Sequence, residues 1–347
     1  MVVRGQRSVV GKNIGDKSMM KSVLFWLLAI VLVTIAPVAD AQQPGKILRI
    51  GFLDLSTASG IEVLLDAFRQ ELLKLGWVEG KNVTIEYRFA EQKTERLSDL
   101  AAELVRLKLD LIVVAGTPAA LAAKKATNTI PIVMANAGDP VGTGLVTSLG
   151  RPGGNVTGLA SLSPELNTKR LEILKDAIPK LGRVGLLRPP GHNISWELQI
   201  KELISAAGAL KLKLEEIETH LDAKGFESAF KTAKQMQMGA LMTITTRPFF
   251  AERKRIVELA GQYRLPAIYF QKEFVDDGGL MAYGVDYDYL YRGAAVYVDK
   301  ILKGAKPADL PVQQATKFEF VINLKAAKQI GLTLSPEFLS RANRVIK

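Results

Sequence analysis

Small groups of polar residues follow several of the long apolar runs in this sequence, often beside a glycine. The candidates for contact with a ligand are Ser56, Thr57, Gly116, Thr117, Asn136, Asp139, Thr246, Arg247, Tyr269 and Tyr283. Their hydroxyl, amide, guanidinium and phenol groups can hold a small molecule by hydrogen bonding and packing. None of these groups is arranged as a nucleophile beside a base, so the pattern indicates binding rather than catalysis.

An amino-acid-like solute would suit this set of groups. We expect Ser56, Thr57 and Thr117 to supply hydroxyls, with Gly116 allowing a close approach of the backbone. Arg247 could clamp a carboxylate with two parallel hydrogen bonds. Helix N-termini behind several of these loops would favour the same negative charge.

The remaining candidates extend this hypothesis. We expect Asn136 to lie at the end of one strand and Thr246 to close on the solute from a second half of the chain. Asp139 fits two roles, as a partner for an ammonium group or, as we prefer, as the cap of a short helix that begins at the following proline. Tyr269 and Tyr283 would form walls for an apolar or aromatic body, with Tyr283 near a bend.

Catalytic, metal and cofactor motifs are missing from the sequence. It contains no cysteine and only two histidines, so a transition-metal site is not expected. The glycines of residues 138–158 lack the Gly-Lys-Ser/Thr of a phosphate loop, and no Gly-x-Ser-x-Gly elbow occurs. We therefore predict no catalytic residue, no metal and no cofactor, and we regard a secreted enzyme as the weaker alternative.

The first 41 residues have the organisation of a secretory signal peptide. An apolar stretch at 23–36 follows Lys21 and precedes Ala39-Asp40-Ala41, so cleavage would leave a chain that begins at Gln42. Removal of five basic and two acidic residues lowers the formal net charge from +11 to +8. The remaining basic residues are interleaved with acids, so no nucleic-acid partner is expected. Without cysteine, no lipid anchor can follow the signal, and we expect a soluble periplasmic protein.

Apolar runs alternate with amphipathic helices through the rest of the chain. Strand-like runs at 47–54, 83–89, 109–116 and 130–135 form a first series, and a second series starts at 183–188. Both series contain a strand, a Thr-Pro or Thr-x-Pro turn, a helix, and then Ile/Leu-Pro with another strand. Buried strands separated by helices indicate parallel sheets covered on both faces, here in two similar lobes. Ligands of such sheets bind outside the carboxyl ends of the strands, where the candidate residues fall.

The tail of the chain carries strand-like residues at 312–323, after the second series is complete. We expect this strand to return to the first lobe, so that several chain crossings form a hinge. The predicted organisation is a signal peptide at 1–41, an N-terminal lobe at 46–160 with a returning segment at about 286–347, and a C-terminal lobe at 161–285.

Three long stretches carry a resemblance to a known family. They are "IPIVMANAGDPVGTGLVTSLGRPGGNVTGL", "RLPAIYFQKEFVDDGGLMAYGVD" and "YVDKILKGAKPADLPVQQATKFEFVINLKAAKQIGLT". In these stretches the chain resembles ABC transporter substrate-binding proteins of the type I periplasmic-binding group, which includes tryptophan- and phenylalanine-binding members. The resemblance covers about residues 46–346.

The resemblance implies an α/β fold with two Rossmann-like lobes, joined by a three-segment hinge and closing on a small-molecule ligand. It also implies a monomer that delivers its solute to an ABC permease in the inner membrane. The alternative is a sensory module that presents the same solute to a membrane receptor; a neighbouring gene for a permease or for a sensor kinase would distinguish the two.

Overall fold

The computed structural model describes residues 47–347, so the predicted signal peptide lies outside the described residues. Within this range none of the helices has both the length and the apolar character that crossing a bilayer requires. The strands are β1 (Leu48–Asp54), β2 (Val83–Phe89), β3 (Leu111–Ala115), β4 (Ile132–Ala137), β5 (Val156–Ala160), β6 (Arg183–Arg188), β7 (Lys213–Glu218), β8 (Ala240–Thr243), β9 (Ala267–Tyr269), β10 (Met281–Val285), β11 (Gln313–Gln314), β12 (Phe318–Asn323) and β13 (Arg344–Ile346).

Helices connect most of these strands and cover the sheets. They are α1 (Glu62–Lys74), α2 (Leu97–Arg106), α3 (Thr117–Ala126), α4 (Ser163–Ala177), α5 (Ile194–Ala209), α6 (Ala223–Gln235), α7 (Arg247–Ala251), α8 (Arg253–Gln262), α9 (Glu273–Asp276), α10 (Tyr287–Leu302), α11 (Leu324–Ile330) and α12 (Pro336–Ser340).

Two sheets form the two lobes. The first has the strand order β11-β5-β4-β3-β1-β2 and the second has β13-β12-β10-β9-β8-β6-β7. All neighbours are parallel except β10 and β12, which run antiparallel with Met281 opposite Ile322. The predicted α/β architecture with mainly parallel sheets is confirmed.

The first sheet is buried on both faces, as its apolar runs predict. Along β1 the side chains of Ile50 and Phe52 join one core cluster. Leu53 and Leu55 join another cluster on the opposite face. Successive side chains of a strand point to opposite faces, so these two clusters are the two sides of one covered sheet.

The chain passes between the two sheets three times. The crossings lie between β5 and α4, between β10 and α10, and between β11 and β12. Helix α10 packs against α1 and β4, so it belongs to the first lobe. The three connections agree with the multi-segment hinge that the resemblance implies.

The tail does not follow its predicted course throughout. Gln313 and Gln314 pair with β5 of the first sheet, as expected for a returning segment. The prediction is wrong for β12 and β13, because β12 pairs with β10 and β13 pairs with β12 in the second sheet. The second sheet still has an open edge at β10, and pairing there satisfies the backbone groups that would otherwise face solvent.

Gly158 lies where β5 comes close to the backbone of Met134 in β4. Its φ is +127°, and a Cβ at this position would lie 2.3 Å from the carbonyl oxygen of Met134. The pairing register between the two strands shifts between Met134 and Ala137, which is where this close approach occurs. Only glycine can adopt this conformation without a backbone clash.

Gly158→Ala should therefore lower the free energy of unfolding by about 3 kcal/mol or more, through strain and a clash with backbone that cannot move aside. Gly154→Ala is the matched control, since a Cβ there meets no atom within 4 Å, and it should change stability by less than about 1 kcal/mol. Urea denaturation of both variants measures the difference. Equal stability of the two variants would show that β4 and β5 do not approach in this way.

Candidate ligand-binding cleft

A cavity lies where the strand ends of the two sheets face each other. The atom-free space in the cavity and at its mouth, open solvent included, is about 550 Å³. The residues that line it are Leu55, Ala115, Gly116, Thr117, Pro118, Asn136, Gly138, Ser161, Ser163, Ser195, Trp196, Gln199, Thr245, Thr246, Arg247, Phe270, Gln271 and Tyr287. Strand ends of both lobes thus contribute to one cleft, as open parallel sheets require.

The wall from the first lobe is built by the turn between β3 and α3. Gly116 has φ of +86°, a conformation that favours glycine, and its N–H donates to Asn136 Oδ1 at 2.9 Å. Thr117 Oγ1 accepts from the N–H of Gly138 at 3.1 Å. The side-chain oxygen atoms of Asn136 and Thr117 therefore accept hydrogen bonds from the protein's own backbone. These bonds join the turn after β3 to the carboxyl end of β4 and the loop that follows it.

Two serines at the first crossing between the lobes complete this side of the cleft. Ser161 Oγ donates to the carbonyl of Ala137 at 3.2 Å and lies 3.1 Å from Ser163 Oγ. Ser163 is the first residue of α4. The bottom of the cleft is thus a buried and internally hydrogen-bonded part of the hinge.

Arg247 forms the charged centre of the wall from the second lobe. It begins α7 directly after the loop that follows β8, and only 8% of the residue is exposed. Its Nη2 donates to the hydroxyl of Tyr291 and lies 3.6 Å from Asp54 Oδ2. Among residues 47–347, neither Nε nor Nη1 of Arg247 has a hydrogen-bond partner. A buried guanidinium with two unused donors is suited to a carboxylate ligand.

Gln271 supplies a further unused donor to the same cleft. The residue is 2% exposed, and its Nε2 finds no acceptor within the described part of the chain. It follows β9 and lies next to Phe270, another residue of the lining. An unpaired buried amide costs free energy, which a ligand with an acceptor atom would recover.

Asp54 joins the two lobes through its ion pair with Arg247. It ends β1, is completely buried, and accepts from the N–H of Ser56 at 2.7 Å. Burial raises the pKa of Asp54 above its ordinary value, and the positive charge of Arg247 offsets part of that rise. For Arg247, burial opposes the charge, but its interactions with Tyr291 and Asp54 outweigh burial and raise the pKa.

A second buried arginine supports the loop that carries Arg247. Arg170 of α4 is 1% exposed, and it donates to the carbonyl of Tyr283 at 2.9 Å and to Thr245 Oγ1 at 2.8 Å. Its third acceptor is Asn167 Oδ1. Burial lowers the pKa of Arg170 to about 10, so the side chain remains charged at neutral pH. Within residues 47–347 none of its hydrogen-bond partners is a carboxylate, and its Nε has no partner.

Gln199 fixes the other side of the same loop. Its Oε1 accepts from the N–H of Thr245 at 2.8 Å and from Asn167 Nδ2 at 2.7 Å. Its Nε2 donates to the carbonyl of Thr245 at 3.2 Å. The backbone ahead of Arg247 is therefore held on both sides, which limits the positions that the guanidinium can take.

The structure brings five of the predicted site residues to the cleft and places five elsewhere. Gly116, Thr117, Asn136, Thr246 and Arg247 line the cavity. Ser56 is buried beside Asp54, and its neighbour Thr57 accepts from the N–H of Gly60 at 3.1 Å. Asp139 Oδ1 accepts from the N–H of Gly142 at 2.8 Å and lies outside the lining. The short helix predicted after Pro140 does not form, because residues 140–144 are a turn, and Asp139 caps that turn instead.

The two predicted aromatic walls face away from the cleft. Tyr269 stacks on Phe274 with ring centroids 4.6 Å apart and lines a separate cavity between α8 and α11. Phe270, the next residue, is one of the lining residues of the cleft, and its ring packs edge-on against Phe274 with centroids 5.1 Å apart. Tyr283 stacks on Phe318 at 6.3 Å in the hinge. The aromatic residues at the cleft are Trp196, Phe270 and Tyr287.

Several of the residues that shape the cleft were not predicted. They are Asp54, Asn167, Arg170, Ser161, Ser163, Trp196, Gln199, Gln271 and Tyr287. For Asp54 and Gln271 a signal existed, since each is a polar residue at the end of an apolar run. Arg170 carried no such signal, because an arginine on an amphipathic helix resembles any solvated helix residue.

The chemistry of the cleft is that of recognition. Within residues 47–347 no group of three or more His, Asp or Glu side chains is placed to hold a metal ion. The histidine of the 188–193 loop, His192, has a side chain that is 97% exposed. Buried donors, fixed loops and aromatic surfaces at the meeting point of two lobes define a solute-binding protein.

Comparison with known proteins agrees with this class. The family model for ABC transporter substrate binding proteins matches residues 57–346, so the chain belongs to that family. A tyrosine-binding protein of Clostridioides difficile (strain R20291) is 28% identical over 284 residues, which is 82% of this chain and 81% of the relative. Because the family and this relative are binding proteins, the prediction that the chain is not an enzyme is confirmed.

Two solved structures have the same fold. A conserved domain protein from Vibrio cholerae is 28% identical, covers 86% of this chain and 100% of its own, and gives a TM-score of 0.80. An ABC domain from Streptococcus pneumonia in complex with L-Trp is 26% identical, covers 86% and 99%, and gives a TM-score of 0.78. The resemblance to the substrate-binding family stated from the sequence is confirmed.

Asp54→Asn should destabilise the protein by about 3 kcal/mol, because it leaves the buried Arg247 without its counter-charge. Glu172→Gln is the control, since Glu172 and Lys169 form an exposed pair at 2.8 Å that contributes about 1 kcal/mol or less. Thermal unfolding at neutral pH measures both. If the two substitutions lower the melting temperature equally, Asp54 and Arg247 are not paired across the lobes.

Proposed function

We propose that this protein captures a small, amino-acid-like solute with a carboxylate group in the cleft and delivers it to an ABC permease of the inner membrane. The observation that carries the proposal is the set of unused donors of Arg247 and Gln271, which are buried in a cavity shared by both lobes. Such donors recognise acceptor oxygen atoms, and the planar guanidinium matches a carboxylate with two parallel hydrogen bonds.

Helix N-termini add to the attraction for a carboxylate. Helices α3 and α5 begin at the cleft with Thr117 and with the turn that contains Ser195 and Trp196. Both helices are long enough for the partial positive charge at their N-termini to act on a bound anion. The rings of Trp196, Phe270 and Tyr287 would then contact the body of the solute.

Among the residues predicted from the sequence, we propose Gly116, Thr117, Asn136, Thr246 and Arg247 as ligand contacts. The names of the relatives support the class of solute, since one is a tyrosine-binding protein and another was solved with L-Trp. Tyr269 and Tyr283 are left out of the proposal because they lie away from the cleft.

Capture would follow from closure of the two lobes around the solute. Contacts come from both lobes, so a ligand that bridges them favours the closed arrangement by its differential affinity for it. The three chain crossings provide the hinge. Membership of the substrate-binding family and the predicted signal peptide support a monomeric protein of the periplasm that acts with a permease.

The closing mechanism makes a prediction about shape and stability. Mass spectrometry of small molecules released from the freshly purified protein identifies the solute. At about 100 times its dissociation constant, this solute should add roughly 2.7 kcal/mol to the free energy of unfolding. Small-angle scattering should show a decrease in the radius of gyration. Stabilisation without compaction would contradict closure.

Gln271→Leu tests the cleft without disturbing the pair of Asp54 and Arg247. The released solute should bind about tenfold more weakly, since a hydrogen bond to a charged group contributes about 1.5–3 kcal/mol. The unliganded protein should be as stable as before, or more stable, because an unpaired buried amide is removed. Calorimetry and urea denaturation measure the two effects.

Gln262→Leu is the matched control for this substitution. Gln262 is an exposed residue of α8 that donates to Glu258 at 3.1 Å, and it does not line the cleft. This variant should retain the affinity of the natural chain. Unchanged affinity in Gln271→Leu as well would place the carboxylate site elsewhere.

A further inference from the structure

In the cleft, several side-chain acceptors already have hydrogen-bond partners, whereas several buried donors have none. Among the polar side chains that line it, Asn136 Oδ1, Thr117 Oγ1 and Gln199 Oε1 already accept hydrogen bonds from the protein. The fully buried lining atoms that have no hydrogen-bond partner within residues 47–347 are all donors, namely Arg247 Nε, Arg247 Nη1 and Gln271 Nε2. These buried N–H groups need acceptor atoms, which a ligand can supply.

The charge in the lining of the cleft is positive. Of the described residues that line the cavity, Arg247 is the one with a permanent charge, and none is Asp or Glu. Asp139, which the sequence offered as a partner for an ammonium group, lies outside the lining and caps a turn at Gly142. An ammonium group in this cavity would meet no carboxylate.

The charged groups buried just behind the lining do not cancel its positive charge. Asp54 offsets Arg247 at 3.6 Å, but Arg170 is fully buried and its acceptors are the uncharged atoms of Tyr283, Asn167 and Thr245. The three buried groups thus carry a net charge of at least +1, whether or not Asp54 holds a proton. Such a charge is costly in the interior unless an anion joins it.

One further acid acts on a residue that lines the cleft. Glu273 influences the electrostatics of Tyr287 at the edge of the cleft, but it is not among the lining residues. Its neighbour Lys272 lowers the pKa of Glu273 against the larger effect of burial, and Lys272 itself forms an ion pair with Glu319 at 3.1 Å. Burial raises the pKa of Glu273, and because this residue lies outside the lining it offers no carboxylate to a ligand in the cavity.

We infer that the solute is an organic carboxylate with a net charge of −1 and no ammonium group. The inference rests on the proposed capture function and narrows it, because it keeps the amino-acid skeleton and removes the amine. A deaminated aromatic acid places its carboxylate on Arg247 and Gln271 and its ring against Trp196, Phe270 and Tyr287. A zwitterion would bring in a positive charge where a positive charge is already uncompensated.

Matched compounds test this inference by calorimetry at neutral pH. Each of L-tyrosine, L-tryptophan and L-phenylalanine is compared with its deaminated analogue, namely 3-(4-hydroxyphenyl)propionate, indole-3-propionate and 3-phenylpropionate. In at least one pair the deaminated acid should bind ten times more tightly or better, and tyramine, tryptamine and phenethylamine should not bind. Tighter binding of the amino acid in the pairs that bind would overturn the inference and leave the proposed capture function intact.

Gln271→Glu tests the inference through a ratio of two affinities, which would not change if Gln271 had only a structural role. A carboxylate at this position adds the missing partner for an ammonium group, so the ratio of affinities for the amino acid and its deaminated analogue should rise at least tenfold. Gln262→Glu, outside the cleft, should leave the ratio unchanged. An unchanged ratio in Gln271→Glu would contradict the inference.

If none of the nine compounds binds, the inference is tested by the charge of the solute that is released from the purified protein. A monoanionic carboxylate recovered from the purified protein would support the inference, and a zwitterion, a cation or an uncharged solute would overturn it. If no solute is recovered and none of the compounds binds or compacts the protein, the inference and the proposed capture function both fail.

Discussion

The buried contact between Asp54 and Arg247 is the interaction on which the cleft depends. One partner ends the first strand of the first lobe, and the other begins a helix of the second lobe, so the pair sets how the two lobes meet. It uses Nη2 of the guanidinium and leaves Nε and Nη1 without partners. The same contact therefore orients the charged group and reserves its remaining donors for a ligand. Arg170 and Gln199 fix the intervening loop and prevent the guanidinium from finding other partners.

Much of the fold could be predicted because the strands are continuous apolar runs and the helices have a clear apolar face. The position of Gly116, Thr117, Asn136, Thr246 and Arg247 followed from one rule, that ligands bind at the carboxyl ends of parallel strands. The orientation of Tyr269 could not be predicted with that rule. A shift of one residue at a strand end exchanges the two faces, and the sequence does not show where β9 stops. The side of the sheet on which a residue lies is set by packing.

Buried charge was the other property that the sequence did not reveal. Arg170 occurs among polar residues of α4 and has the pattern of a solvated side chain, yet it is 1% exposed. Similarly, β12 looked like a strand without a place in its own lobe, although the second sheet had room at its edge. Both cases depend on contacts between residues far apart in the chain. The family comparison supplies the fold in which these contacts form.

The three crossings have a consequence for the order in which the protein can be assembled. The first sheet lacks β11 until Gln314 has been synthesised, and the second lacks β13 until Ile346. Neither lobe is a continuous stretch of chain, so no simple truncation isolates one of them. A chain that is interrupted early exposes strand edges whose partners have not yet been made, and such edges pair readily with other chains. Both lobes are thus completed late in the synthesis of this protein, the first at β11 and the second at β13.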